Sequence, residues 1–319
     1  MKKLRAAVIG VGYLGRFHAQ KYAMLENVEL VGVADLNKES AEKVAEEVGC
    51  DAYTDYKELF GKIDIASIVV STPYHHKVGI DCLNNGVDIL LEKPMTTTIE
   101  EADELIQIAK DKGKLIQVGH LERYNPAVVA LKDTVNQPMF IESHRLGFFQ
   151  ERGTDVSVVL DLMIHDIDII LNFVKSDVKS IHAAGAPVVT ENVDIANVRL
   201  EFESGCIANI TASRISTKVQ RKIRIFQKDA YVSVDFANKS IDIIQKDASK
   251  TDGPLPGAIN TTLPIVESDA LEEEIRAFVE SVNTEQAPAV SGEVGRDALK
   301  VALTVMEQIN KSTENWGKA

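Results

Sequence analysis

The chain is predicted to be an α/β protein, with an N-terminal doubly wound parallel sheet followed by an α+β domain built on a mostly antiparallel open sheet. Three observations predict it. From Arg5 to about Gly119, short runs of Val, Ile and Leu alternate with helix-length amphipathic segments, as βαβ units require. A glycine-rich turn, Gly10-Val11-Gly12-Tyr13-Leu14-Gly15, joins the first run to the first helix. After Gly119 the alternation stops and strand-like runs follow one another in a block.

The apolar runs of the first half are Ala6 to Ile9, Val28 to Ala34, Ile65 to Val70, Val87 to Leu91 and Leu115 to Val118. They lack polar alternation, so both faces of their sheet are expected to be covered. Helical spacing predicts helices over Leu14 to Met24, Lys38 to Val48, Lys77 to Asn84 and Ile99 to Lys112, with Gly49, Gly86 and Gly113 as stop signals. The division expected is 1–120 for the first domain and 121–319 for the second.

In the second half, helices are predicted over Pro126 to Thr134 and Val158 to Phe173. Strands are predicted over Met139 to Leu146, Val178 to Ala183, Asp194 to Phe202, Cys206 to Ile215, Arg221 to Phe226 and Tyr231 to Asp235, with a weaker one at Ile241 to Gln245. Glu203-Ser204-Gly205 reads as a hairpin turn, and Ala248 to Pro264, rich in Gly, Pro, Ser and Thr, as a loop. Two terminal helices, Ala270 to Asn283 and Val294 to Lys311, close the chain.

Composition bounds the partners. With 319 residues, 45% hydrophobic and 26% charged, the chain is long enough for two cores. A net charge of −13 disfavours nucleic acid and anionic membrane surfaces. No stretch approaches the ~18 apolar residues that span a bilayer, and glycines interrupt the apolar run after Met1 to Arg5, against the expectation of a secretory leader there. Cys50, Cys82 and Cys206 are scattered and odd in number, which fits reduced thiols in a cytoplasmic protein.

The glycine turn carries the first chemistry. Its spacing suits a dinucleotide pyrophosphate: a tight turn at Gly10, close backbone approach at Gly12 and helix packing at Gly15, with the helix N-terminus facing the phosphates. Asp35 follows Gly15 by about twenty residues, at the end of the next apolar run, where it can accept the ribose hydroxyl protons. This is the Rossmann pattern. The Asp35 charge would repel a 2′-phosphate, so NAD is expected ahead of NADP, although Lys38 is nearby.

Glu92-Lys93-Pro94 stands at the carboxyl end of the Val87–Leu91 run, where ligands of open α/β sheets bind. Further on, Asp161, His165 and Asp168 share one face of a predicted helix. That face has three readings: a structural histidine paired with acids, a metal site, or a general acid/base pair in which Asp161 fixes the imidazole and His165 exchanges a hydroxyl proton. His75-His76 diverge as neighbours, and a loop role is expected for them.

Together with Ser71-Thr72-Pro73 and the stretch Gly119 to Pro126, these motifs resemble the glucose-fructose oxidoreductase, inositol dehydrogenase and MocA family, in order along nearly the whole chain. The resemblance implies hydride transfer between a sugar-like hydroxyl carbon and nicotinamide, with Lys93, His165 and Asp161 as catalytic residues and no metal. It implies cofactor contacts from Gly10, Gly12, Tyr13, Leu14, Gly15, Asp35, Thr72, Pro73, His75, Glu92, Lys93 and Pro94, and a Lys93–Pro94 bond that is often cis. It also implies a homo-oligomer, dimer or tetramer, formed through the C-terminal sheet. Within the family, Gly119 to Pro126, the Asp161 helix and the Arg214 and Arg221 strands look most like UDP-N-acetylglucosamine 3-dehydrogenases. Arg123, Asn125 and Arg214, with Asp161 and His165, are then candidates for binding substrate. Oxidation of an inositol or free sugar, a redox-neutral NAD-dependent glycosidase and a non-catalytic sugar or dinucleotide sensor are the alternatives.

Overall fold

A computed structural model of the chain describes residues 3–151, 153–154, 156–249 and 257–313. The first segment forms β1 (Leu4–Ile9), α1 (Tyr13–Met24), β2 (Val28–Ala34), α2 (Lys38–Val48), β3 (Asp51–Tyr53), β4 (Ile65–Ile68), α3 (His75–Asn84), β5 (Asp88–Glu92), α4 (Ile99–Lys112) and β6 (Ile116–Gly119). The six strands pair in parallel in the order β3-β2-β1-β4-β5-β6. Strand order therefore reverses between β1 and β4, the switch point at whose carboxyl ends ligands bind. Asn37 caps α2 through its side chain, Thr98 and Glu101 form a capping box on α4, and Gly49 and Gly113 end these helices in the left-handed conformation, as expected.

The second segment contains α5 (Pro126–Val129), β7 (Pro138–Leu146), a π-helical turn (Val159–Met163) leading into α6 (Ile164–Val174), then β8 (Val178–Ala186), β9 (Ile195–Phe202), β10 (Ile207–Ser213), β11 (Gln220–Gln227), β12 (Ala230–Asp235), β13 (Ser240–Lys246) and β14 (Ala258–Leu263). Its sheet runs β14-β13-β12-β11-β7-β10-β9-β8. Every pairing is antiparallel except β7 with β10. Alternate residues face a buried side, including Ile141, Val198, Leu200, Ile210, Ile223 and Val232. The chain ends in α7 (Ala270–Thr284) and α8 (Gly292–Thr313).

Four expectations are corrected here. The loop expected at Ala248 to Pro264 contains β14, in which Ile259, Thr261 and Thr262 supply β-branched side chains and β13 supplies the pairing edge; residues 250–256 lie outside the described residues. The helix expected from Pro126 to Thr134 is only one turn of α-helix. His75 and His76 open α3 and are not loop residues. The division into units is also discontinuous: one comprises Met1–Tyr124 with Asp269–Leu299, the other Asn125–Ser268 with Lys300–Ala319, so the boundary falls inside α8. The reason is packing. Ile275, Phe278 and Val279 of α7 join the core made by Val8, Ala19, Tyr22 and Leu90.

Candidate active site

Within the first unit, the three fingerprint glycines have different structural jobs. Gly10 has φ +88°, and a Cβ there would lie 2.7 Å from the Val69 carbonyl oxygen; a Cβ on Gly15 would lie 1.9 Å from the Gly10 carbonyl oxygen. At Gly12 a Cβ would meet nothing within 4 Å, so the turn keeps open space where a pyrophosphate would approach. The first turn of α1 has neither a side-chain cap bond nor an acidic residue, which leaves its N-terminal dipole to an anion. Tyr13 is exposed and meets Phe17 edge-on, while Leu14 is half-buried.

Asp35 closes this turn. Its Oδ2 accepts from the Val11 amide at 2.8 Å and its Oδ1 from the Asn37 amide at 2.9 Å, so the carboxylate is aimed by backbone at the rim of the turn. Gly10, Gly12 and Asp35, with Tyr56, Tyr74 and Lys77, line a cavity of about 440 Å³ that fits the adenosine end of a dinucleotide. The two tyrosines and Lys77 went unmarked at the sequence level because nothing in their spacing links them to the glycine turn. Lys38 is exposed and turned toward Glu42, 3.5 Å away.

Lys93 follows β5, half-buried, and the Lys93–Pro94 bond is cis. Two of the expected cofactor contacts are built into the protein interior. Glu92 is 8% exposed, with Oε1 3.2 Å from the His18 ring and Oε2 accepting from the Lys93 amide at 3.2 Å. Burial pushes its pKa up, but the hydrogen bond with the His18 ring, the positive charge of Lys93 and the Lys93 amide outweigh this and hold it below the ordinary glutamate value. His75 is 1% exposed, its Nδ1 2.9 Å from the Pro94 carbonyl oxygen and its Nε2 2.9 Å from that of Val70. Burial holds its pKa below the ordinary histidine value, against the pull of those carbonyls. His75 therefore ties the segment after β4 to the Lys93–Pro94 turn, and Glu92 braces that turn from the interior. Thr72 and Pro73 lie in a single 3-10 turn ahead of α3.

In the second unit, Asp161 lies in the π-helical turn and His165 in the first turn of α6, both half-buried. Such turns recur at functional sites. Asp168 is 1% exposed and belongs to the interior. The neighbouring Asp166 accepts from Arg145 Nε at 2.7 Å and from Ser143 Oγ at 2.9 Å, a buried pair that ties α6 to β7. Sequence reasoning missed it, because Arg145 and Asp166 are joined only by the fold.

Arg214 and Asn125, expected among the substrate contacts, each also have a structural task. Arg214 is 6% exposed and donates to the carbonyls of Gly153 and Val156, with its Nε 3.9 Å from the buried carboxylate of Asp194. Its guanidinium holds the loop that leads to Asp161: a Cβ on Gly153 would lie 3.2 Å from Asp161 Oδ2. Asn125 spends its side-chain oxygen capping α5 through the Ala127 amide at 3.0 Å. Arg123 is half-buried in the turn after β6, and Arg221 is exposed on β11. Among the described residues, no three His, Cys, Asp or Glu side chains gather as a metal site needs.

Residues 4–120 match the model of the "Oxidoreductase family, NAD-binding Rossmann fold", and residues 128–233 match the Gfo/Idh/MocA C-terminal domain. The UDP-N-acetylglucosamine 3-dehydrogenase of Acidithiobacillus ferrooxidans is 37% identical over 306 residues, covering 96% of this chain and 97% of that protein. This chain belongs to the Gfo/Idh/MocA oxidoreductases. The solved structure of that dehydrogenase, GnnA, superposes with a TM-score of 0.91 at 36% identity, covering 97% of this chain and 98% of the other. The myo-inositol 2-dehydrogenase of Thermotoga maritima is 24% identical, covering 97% of each. The scyllo-inositol dehydrogenase of Lactobacillus casei, solved with NAD(H) and scyllo-inositol, shares the fold with a TM-score of 0.80 at 20% identity over 98% of each chain. As a Gfo/Idh/MocA oxidoreductase the protein uses NAD, and the space kept at Gly12 and the amide-held Asp35 fit that cofactor.

Proposed function

We propose that this protein oxidises the 3-hydroxyl of UDP-N-acetylglucosamine, or of a nucleotide sugar very like it. The end-to-end 37% identity with a dehydrogenase of that name carries the reading, and the Lys93, Asp161 and His165 set supports it. NAD, when bound, supplies the acceptor for the hydride that leaves the carbinol carbon. Lys93 binds the reacting hydroxyl oxygen through its ammonium and offsets the alkoxide charge that develops there. His165 takes the hydroxyl proton, and Asp161 holds the imidazole in the tautomer that can receive it. Arg123 binds the polar end of the substrate, where its planar fork suits a diphosphate. The protein works as a cytoplasmic homo-oligomer through the sheet of the second unit.

The test is NADH formation at 340 nm with NAD and a panel of substrates. We expect saturable reduction with UDP-N-acetylglucosamine and little with myo-inositol or free glucose. Turnover of an inositol alone would replace the substrate assignment, and glycoside cleavage without net NADH would replace the reaction. Lys93→Ala and His165→Asn are each expected to lower kcat by roughly 10²–10⁴-fold, the range for positioned acid/base groups, while NAD still binds. Full activity in either variant removes that residue from the chemistry.

A further inference from the structure

Beneath the Lys93 turn lies a buried polar chain that the mechanism does not use. Tyr22 and His18 stand one turn apart on α1, both 0% exposed, and Ser67 of β4 is buried between them. The Tyr22 hydroxyl is 3.0 Å from Ser67 Oγ, Ser67 Oγ is 3.1 Å from His18 Nδ1, and His18 Nε2 is 3.2 Å from Glu92 Oε1. The other Glu92 oxygen accepts from the Lys93 amide at 3.2 Å.

Hydrogen-bond accounting gives the chain a direction. The Glu92 carboxylate only accepts, so His18 donates from Nε2. An imidazole carrying its proton there presents Nδ1 as an acceptor, which Ser67 fills with its hydroxyl hydrogen. Ser67 then accepts from Tyr22, whose phenol burial keeps in the protonated, donating form. One proton per link satisfies every member, and such chains strengthen cooperatively in a low-dielectric interior. The opposite side of the carboxylate is kept clear by Gly119, where a Cβ would lie 2.9 Å from Glu92 Cδ and Oε1.

We propose that His18 and Glu92 are positioning residues for Lys93, holding the lysine backbone through a carboxylate that the Ser67–Tyr22 chain orients from behind. The inference rests on the reading of Lys93 as the residue that binds the reacting hydroxyl. It accounts for a buried histidine and a buried carboxylate that would be costly in an apolar core without that task.

The experiment compares isosteres at one position. Glutamine places its amide nitrogen where His18 has Nε2 and keeps the donor to Glu92; asparagine matches Nδ1 and loses it. His18→Asn and Glu92→Gln are expected to lower kcat by roughly 10–100-fold, the cost of about 1 Å of misplacement, with substrate KM and NAD affinity changed less than about 3-fold. His18→Gln is expected to recover most of that kcat. Ser67→Ala, a smaller change that leaves His18 without its hydroxyl partner, serves if His18→Asn does not fold, and is expected to lower kcat in the same selective way. Wild-type kcat in His18→Asn and Glu92→Gln overturns the proposal. So does an equal loss in His18→Asn and His18→Gln, or a kcat loss that only tracks lost NAD binding and Tm. Lys93→Ala, run alongside, separates the two ideas: an inactive lysine variant beside a fully active His18→Asn rejects the positioning role alone, whereas an active lysine variant rejects the reading beneath it.

Discussion

Adding one methyl group at Gly12 or Gly15 is predicted to have opposite consequences. Gly12→Ala has room in the protein, so Tm should hold within about 2 °C, while the new methyl enters cofactor space and weakens NAD binding by at least roughly tenfold. Gly15→Ala puts a Cβ against the Gly10 carbonyl, where only backbone can yield, and should cost more than about 3 kcal/mol or prevent folding. Thermal melts with and without NAD check both. The Asp194 carboxylate makes a second residue-scale prediction. Burial raises its pKa, but the Val188, Val189 and Thr190 amides and the Thr190 hydroxyl overcome this and bring it to about 2. A depressed carboxyl pKa stabilises the fold above the unfolded value near ~3.9, and that contribution is lost as pH falls toward about 2. Denaturation at pH 7, 4 and 2 should therefore show Asp194→Asn less stable than wild type at pH 7, with the gap narrowing steeply below pH 4. A gap independent of pH would reject the assignment.

The helix that carries His165 depends on its anchor as much as on its own sequence. Asp166→Ala removes the carboxylate that meets Arg145 Nε of β7 at 2.7 Å and breaks a buried ion pair, which should cost about 3–5 kcal/mol, whereas replacing both partners by Met and Leu should cost far less. Urea titrations of the single and double variants decide this. Much at this scale was legible: the runs and helices of the first unit matched to within a few residues, because strand burial and helical amphipathicity are local patterns. The π-helical turn at Val159–Met163 was not, since five residues of apolar spacing cannot separate an i→i+5 ladder from an i→i+4 one. Nor was β14, whose Thr and Asn composition reads as loop until β13 offers an edge. At the site, Asp35 and Lys93 stood out through their position after strands. His18, Tyr56 and Arg145 did not, since their partners come from distant segments.

Across the molecule, the unit that carries the glycine turn is completed by residues from near the other end of the chain. Amphipathicity marked α7 as a helix but could not say which core it joins; Ile275, Phe278 and Val279 settle that by packing with Val8, Ala19 and Tyr22. Phe278→Ala should accordingly cost about 3–5 kcal/mol and weaken hydrogen-exchange protection in β1 and α1, with β9 and β10 unaffected under native conditions. Protection lost uniformly in both units would contradict the division.

This arrangement has a consequence for biosynthesis. The ribosome must make the whole intervening sheet before Phe278 emerges, which at roughly 5–20 residues per second leaves the glycine turn on an unfinished core for about 8–30 seconds. During that interval the nascent N-terminal segment exposes the apolar surface that α7 will later cover, and it is a natural client for chaperones.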